Sequence, residues 1–509
     1  MKDLIVEDTK QPSLEYLFNP GSIAIAGASN HAEGFSAGRI YMQVLADCGF
    51  KGKMYPVNPE GEAVNGWKGY RNIKDIPGPV DYAISAIPAR YTPQFIRDCA
   101  DKGVRTVHLF TAGFREIEDQ EGRRLEATIA GTAAQKRTRL IGPNCMGLYC
   151  PSSGLSFALN FPKKSGPFGF MAQSGGNSTF CVWEATSRGV HFSKAISYGN
   201  AVDLNETDFL AYLTADSSTK IIGAYIEGVK EGPRFLRVLR QAARKKPVII
   251  YKAGVTETGS RAAASHTGAV AGSERIWKGL IKQSGVIAVQ SIEEIVDAVL
   301  PFLHWSLPGG KRVAIIGMGG GNSVKAADDC ARAGLVVPML TAEVKQKLGD
   351  LFSGEAGWSF RNPVDIVPMT GPEMLVEAVQ AISDCDRIDM LLIQVGFDIW
   401  PLIDQKLATE TYIEGILRVL GLVRKPLAVV LHSHSTEKSR ELAARAHDTL
   451  RRSGIPVYPS PTRAAGAISK YLAYHGWLRG AQGKGINSDP TGILEGKCHA
   501  SCKQRRSRL

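Results

Sequence analysis

The chain has 509 residues, 44% of them hydrophobic and 22% charged, with a net charge of +12. That length suits about three domains, and the composition is that of a globular protein rather than a fibrous or disordered one. No apolar run reaches about 18 residues, so no membrane span is expected, and Met1 to Asp8 lacks the basic start and long apolar core of a secretory signal.

In chain order the pattern is strand then helix throughout. Short apolar runs predict strands at Ser22–Ala26, Met54–Val57, Tyr82–Ile87, Thr106–Phe110 and Arg139–Ile141. Further strands are predicted at Phe168–Met171, Phe192–Ser197, Ile221–Ile226 and Val248–Tyr251, then at Val313–Ile316, Met390–Val395, Leu427–Leu431 and Pro456–Tyr458. Many of the runs are continuous rather than alternating, which indicates parallel strands covered on both faces. Amphipathic stretches such as Pro93–Lys102, Phe235–Arg244 and Glu437–Ser453 predict the intervening helices. The fold class is therefore α/β, built of doubly wound units. Pro/Gly clusters at 142–154 and 306–311 divide the chain into 1–150, 151–306 and 307–480, and 481–509 reads as a basic tail without packed structure.

Nine cysteines with no C-x-x-C pair read as reduced thiols of a cytoplasmic protein. Cys498, His499 and Cys502 are too loosely spaced for a metal site, and none is expected. No basic stripe is interleaved with aromatics, so nucleic acid is not an expected partner. The positive charge suits an anionic ligand such as a polyphosphate cofactor.

Six features carry the chemistry. Gly27-Ala28-Ser29 ends the first strand, where backbone N–H groups can approach phosphate at a helix start. It lacks G-x-G-x-x-G, and the second strand runs into Asn58-Pro59 with no acid to hold a ribose, which argues against NAD. A tight turn with no ligand is the other reading. Pro88 and Asn144 follow two further strands, whose C-terminal ends line one crevice in an open parallel sheet. Ser174-Gly175 resembles a helix start able to hold phosphate, or a plain N-cap. Gly319-Gly320-Gly321 opens another helix in the same way. Ser265-His266-Thr267-Gly268 lies among small residues after the strand at 248–251; it is either a surface-loop histidine or a nucleophile for a bulky group such as phosphoryl. Glu227 ends a strand in the same domain and could fix one imidazole nitrogen, leaving the other free.

These pieces in this order resemble the acyl-CoA synthetase (NDP-forming) family, related to succinyl-CoA synthetase and most like the α subunit of ADP-forming acetyl-CoA synthetase. Tyr55-Pro56-Val57-Asn58-Pro59, Phe110-Thr111-Ala112-Gly113-Phe114, Ser197-Tyr198-Gly199-Asn200 and Arg361-Asn362-Pro363-Val364-Asp365 join the motifs above in that resemblance. It implies a Rossmann-like CoA-binding domain followed by two flavodoxin-like domains. It also implies interconversion of acyl-CoA, phosphate and NDP with carboxylic acid, CoA and NTP through an acyl phosphate and a phosphohistidine. By matching position, His266 would be phosphorylated with Glu227 as its partner, and Gly27, Ser29, Asn58, Pro88 and Asn144 would lie along the CoA site. Ser174 and Gly175 would belong to the phosphate-binding helix start. The resemblance places Mg2+ and ATP/ADP on an ATP-grasp β subunit, for which this chain has no room after residue 480. The residues Gly176-Asn177 depart from the family pattern and put acetate itself in question as the acid. A non-catalytic CoA-sensing subunit is the alternative.

Overall fold

The computed structural model describes residues 13–30, 36–117, 119–261, 274–317, 319–352, 360–366, 372–398, 405–432 and 435–482. His266 with its flanking motif and the tail from 483 onward lie outside the described residues.

Three sheets form. The first holds β1 (Ser22–Ala26), β2 (Lys53–Val57), β3 (Tyr82–Ser85), β4 (Thr106–Leu109) and β5 (Arg139–Ile141), all parallel in the order β2-β1-β3-β4-β5. β1 is buried at every position, as its unbroken apolar run requires. Helix α1 (Ala37–Cys48) starts with Ser36 accepting from the Arg39 N–H and stops at Gly49 in the left-handed conformation. It buries Tyr41, Met42 and Leu45, each contributing about 1.5–3 kcal/mol. Gly38 lets α1 press onto the first turn: a Cβ there would sit 2.5 Å from the Ala28 nitrogen. Helices α2 (Thr92–Asp101) and α3 (Gln120–Lys136) pack against each other.

The second sheet contains β6 (Gly147–Tyr149), β7 (Phe168–Ala172), β8 (Phe192–Ser197), β9 (Ile221–Ile226), β10 (Val248–Lys252) and β11 (Ile287–Val289). Its order is β11-β10-β9-β7-β8-β6. Apart from β6 this is again the 2-1-3-4-5 winding of a flavodoxin-like unit. The edge strand β6, outside the predicted strands, runs antiparallel to β8. Helices α4 (Gly175–Ser187), α5 (Glu206–Ala215) and α6 (Gly232–Lys245) complete the layers. The third sheet runs β12 (Val313–Ile316), β13 (Met390–Val395), β14 (Leu427–Leu431) and β15 (Val457–Tyr458), all parallel. The helix Pro461–Gln482 packs back on the helix Ile292–His304 of the second unit.

The segments around the first sheet are bound to the second. Phe18 stacks on Tyr212 of α5 at 4.9 Å, and the Tyr212 hydroxyl donates to Glu15 at 2.7 Å. At the other end, Tyr41 donates to the Met146 carbonyl at 2.9 Å, just before β6.

His108 of β4 is sealed between the Tyr41 and Tyr82 rings, with Nε2 3.1 Å from the Cys145 carbonyl. Burial pushes its imidazole down to about 4, against the weaker opposing pull of the Cys145 bond. The folded chain therefore holds it neutral while the unfolded chain protonates it near its ordinary value. That contribution is intact above about pH 6.5 and is lost as pH falls toward 4, a difference of about 3 kcal/mol. Urea midpoints at pH 7 and 4.5 should show a smaller acid loss in His108→Gln than in the wild type; equal losses would refute it.

Candidate active site between the first two sheets

The crevice of an open parallel sheet lies where the winding reverses, outside the strand C-termini. In the first sheet that point is between β1 and β3. Gly27 sits there with φ +86°, and a Cβ on it would meet the Ala86 carbonyl oxygen at 2.4 Å. Only glycine fits this turn. Its N–H donates to the Val57 carbonyl at 3.0 Å, tying the ends of β1 and β2.

Asn58, 4% exposed, braces the crevice wall. Its amide donates to the carbonyls of Ala28 and Glu62, both at 3.0 Å, and its oxygen accepts from the Glu62 N–H at 2.9 Å. Ser29 is half-buried beside it, and Pro88 is exposed at the start of the turn after β3. Asn144 takes the left-handed conformation, φ 57°, and donates its N–H to the Thr111 carbonyl at 2.9 Å. Thr111 in turn donates its hydroxyl to the Ile87 carbonyl at 2.6 Å. The structure thus brings Gly27, Ser29, Asn58, Pro88 and Asn144 to one edge of one sheet.

In the second sheet the winding reverses between β7 and β9. Ser174 follows β7 and caps α4, its hydroxyl accepting from the Asn177 N–H at 3.2 Å. Glu227 follows β9 and is 4% exposed. Gln173 joins the two: its side-chain oxygen accepts from the N–H groups of Glu227 and Gly228, the latter at 2.9 Å. Tyr225 donates its hydroxyl to Glu227 Oε1 at 3.1 Å. Burial first, then the Glu227 carboxylate, push the Tyr225 phenol upward, so it stays a donor. Glu206 of α5, fully buried, accepts from the Lys230 N–H at 2.7 Å and holds the next turn; burial raises its own carboxyl.

The loop after β8 closes the two edges on each other. The Asn200 N–H donates to the Pro143 carbonyl at 3.0 Å, and the Val202 N–H to that of Gly142 at 3.0 Å. A Cβ on Gly199 would lie 2.2 Å from the Pro143 oxygen and 2.4 Å from the Asn144 oxygen. The Asn200 side chain donates to Glu116 Oε2 at 2.6 Å, while Glu116 Oε1 accepts from the Gly113 N–H at 2.7 Å and the Phe114 N–H at 3.2 Å. A continuous set of bonds therefore runs from the turn after β4 to the loop after β8.

The third glycine-opened helix stands on its own sheet. Gly319 has φ +76° and donates its N–H to Asp365 at 2.7 Å; Gly320 and Gly321 are exposed at the start of the helix Gly320–Arg332. One of its three leading N–H groups is thus already on a carboxylate, which favours a helix N-terminus.

Against known proteins, residues 21–151 match the family model of a CoA binding domain, and residues 165–302 that of a succinyl-CoA ligase like flavodoxin domain. The chain is 36% identical over 457 residues to the alpha subunit of acetate–CoA ligase [ADP-forming] II of Pyrococcus furiosus, covering 89% of this chain and 96% of that one. The chain belongs to the ADP-forming acetate–CoA ligase family, in its alpha-subunit form. Other ligases of this family are longer: the Methanocaldococcus jannaschii acetate–CoA ligase [ADP-forming] is 32% identical over 91% of this chain, which spans 63% of it. The same fold is seen in dinucleotide forming acetyl-coenzyme A synthetase 1 of Ca. Korarchaeum cryptofilum, in complex with phosphate and ADP. There the TM-score is 0.78 at 29% identity, over 94% of this chain and all of the other. Among the described residues no helix is long and apolar enough to cross a membrane.

Proposed function

We propose that this chain is the CoA-binding, phosphohistidine-forming subunit of an NDP-forming acyl-CoA synthetase. The observation that carries the reading is the juxtaposition of two crevices. The edge with Gly27, Asn58 and Asn144 is fastened, through Gly199 and Asn200, to the edge with Ser174 and Glu227.

CoA, as substrate, fits the first edge: Gly27 lets the turn after β1 pack directly on the Ala86 main chain, and Asn58 and Asn144 fix the neighbouring loops through their bonds to Ala28, Glu62 and Thr111. An acyl-CoA bound there presents its thioester toward the α4 N-terminus, where Ser174 and the free N–H groups of the first turn hold phosphate. A phosphate oxygen attacks the thioester carbonyl, the C–S bond breaks, and CoA leaves as thiolate with an acyl phosphate left behind. One ring nitrogen of His266 then attacks phosphorus, the P–O bond to the acyl oxygen breaks, and the carboxylate departs. Glu227 holds the other ring N–H, fixing the tautomer and stabilising the positive charge that forms. An NDP with Mg2+, on a separate ATP-grasp subunit, supplies the final phosphoryl acceptor. Gly320 and Gly321 add a second anion-binding helix start. The acid is a carboxylic acid, and the setting is the cytoplasm.

The test is labelling of the full chain with radioactive phosphate and a panel of acyl-CoAs that includes acetyl-CoA. Acid-labile, base-stable label that disappears in His266→Ala is expected. No label in the wild type, even with the partner subunit added, would defeat the reading.

A further inference from the structure

A lysine is costly to bury, because its charged form is the one water favours. Lys252 ends β10 at 7% exposure, one position before the chain leaves the sheet toward His266. Among the described residues no carboxylate lies within ion-pair distance of it. Its ammonium instead donates to two main-chain carbonyls, that of Glu227 at 2.8 Å and that of Ala253. The ring of Trp277, from the helix Glu274–Ser284, faces the nitrogen at 5.4 Å and supplies a cation–π contact. An aliphatic side chain would fill this place more cheaply if packing were the only demand.

The bonds explain the cost. β9 and β10 are paired with Lys252 opposite Ile226, so the residue after each strand leaves the sheet side by side. Lys252 pins both departures at once, fixing the backbone of Glu227 against the root of the segment that carries His266. We propose that Lys252 is a positioning residue for phosphoryl transfer, holding the main chains of Glu227 and Ala253 in one register. This rests on the reading of His266 as the phosphoryl acceptor. Burial lowers the Lys252 ammonium to about 8, opposed by the nearby Glu227 carboxylate.

The experiment compares wild type, Lys252→Met and Lys252→Arg as full chains, with acetyl-CoA and radioactive phosphate, following label per second and CoA affinity in parallel. Displacing a reacting group by about 1 Å costs on the order of 100-fold. Lys252→Met should therefore label about 100-fold more slowly with CoA affinity unchanged, and Lys252→Arg should recover most of the rate. Equal labelling in wild type and Lys252→Met would overturn the proposal while leaving the function intact. Parallel loss of label and CoA affinity would mark a packing role and overturn it too. A wild type left unlabelled by every acyl-CoA of the panel, with the partner subunit added, would overturn the functional reading, and the proposal with it.

Discussion

Glu227→Gln will slow capture of the phosphoryl group by His266 about 10²–10⁴-fold, the range for losing a positioned acid–base partner, while leaving CoA affinity unchanged. The variant is nearly isosteric, and the carboxamide oxygen can still accept from Tyr225. The Glu227 main chain keeps its bonds to Gln173 and Lys252. What changes is the group offered to the imidazole: an amide can present a donor where a carboxylate only accepts. The tautomer is then no longer fixed, and the charge on the ring as it takes phosphorus is no longer balanced. Rapid-quench measurement of label on the full chain reads this directly. A variant labelling at the wild-type rate would remove Glu227 from the chemistry.

Gly199→Ala will cost about 4 kcal/mol or more, placing it in the exceptional tail of single substitutions. The position has φ +55°, and the new methyl would lie within 2.4 Å of two main-chain oxygens, those of Pro143 and Asn144. Both oxygens sit in a loop held by the Asn200 and Val202 N–H groups, so the clash cannot be relieved by a rotamer. Relief requires moving the seam, and CoA affinity should fall with the unfolding temperature. Gly232→Ala is the control: it has open space around its Cβ position and should change neither. If Gly199→Ala melted with the wild type and bound CoA as well, the seam would not be the rigid junction described.

The fold was legible because parallel strands buried on both faces leave unbroken apolar runs, as in Val313–Ile316 and Met390–Val395. Strand ends were less so. Ala86 and Ile87 are apolar enough to extend β3, but the Ala86 carbonyl is where the Gly27 backbone presses in, and the strand stops at Ser85. β6 and β11, three residues each, lie outside the predicted strands. The antiparallel direction of β6 follows from pairing on an outer edge, which no residue type announces. At the site, Glu227 and Ser174 were readable as polar residues closing apolar strands. Asn200 stands in a motif of the resemblance with no role attached, and Gln173 and Lys252 show none in the sequence, because their work is done on main-chain groups or on a carboxylate distant in sequence. Lys252 carried one usable signal, a cation ending a strand with no acid beside it.

The clasp at both ends of the first sheet bears on how substrate enters. Residues 15–18 are anchored on α5, and residues 147–149 are a strand of the second sheet. The first unit is therefore stitched in before its opening strand and again after its closing one. Two units joined this way cannot swing apart like jaws without breaking the Tyr212–Glu15 and Tyr41–Met146 bonds and those of Asn200 and Val202 to the 142–143 turn. On the proposed reading, CoA enters a standing crevice, and the distance from its thioester to the bound phosphate is set by these fastenings.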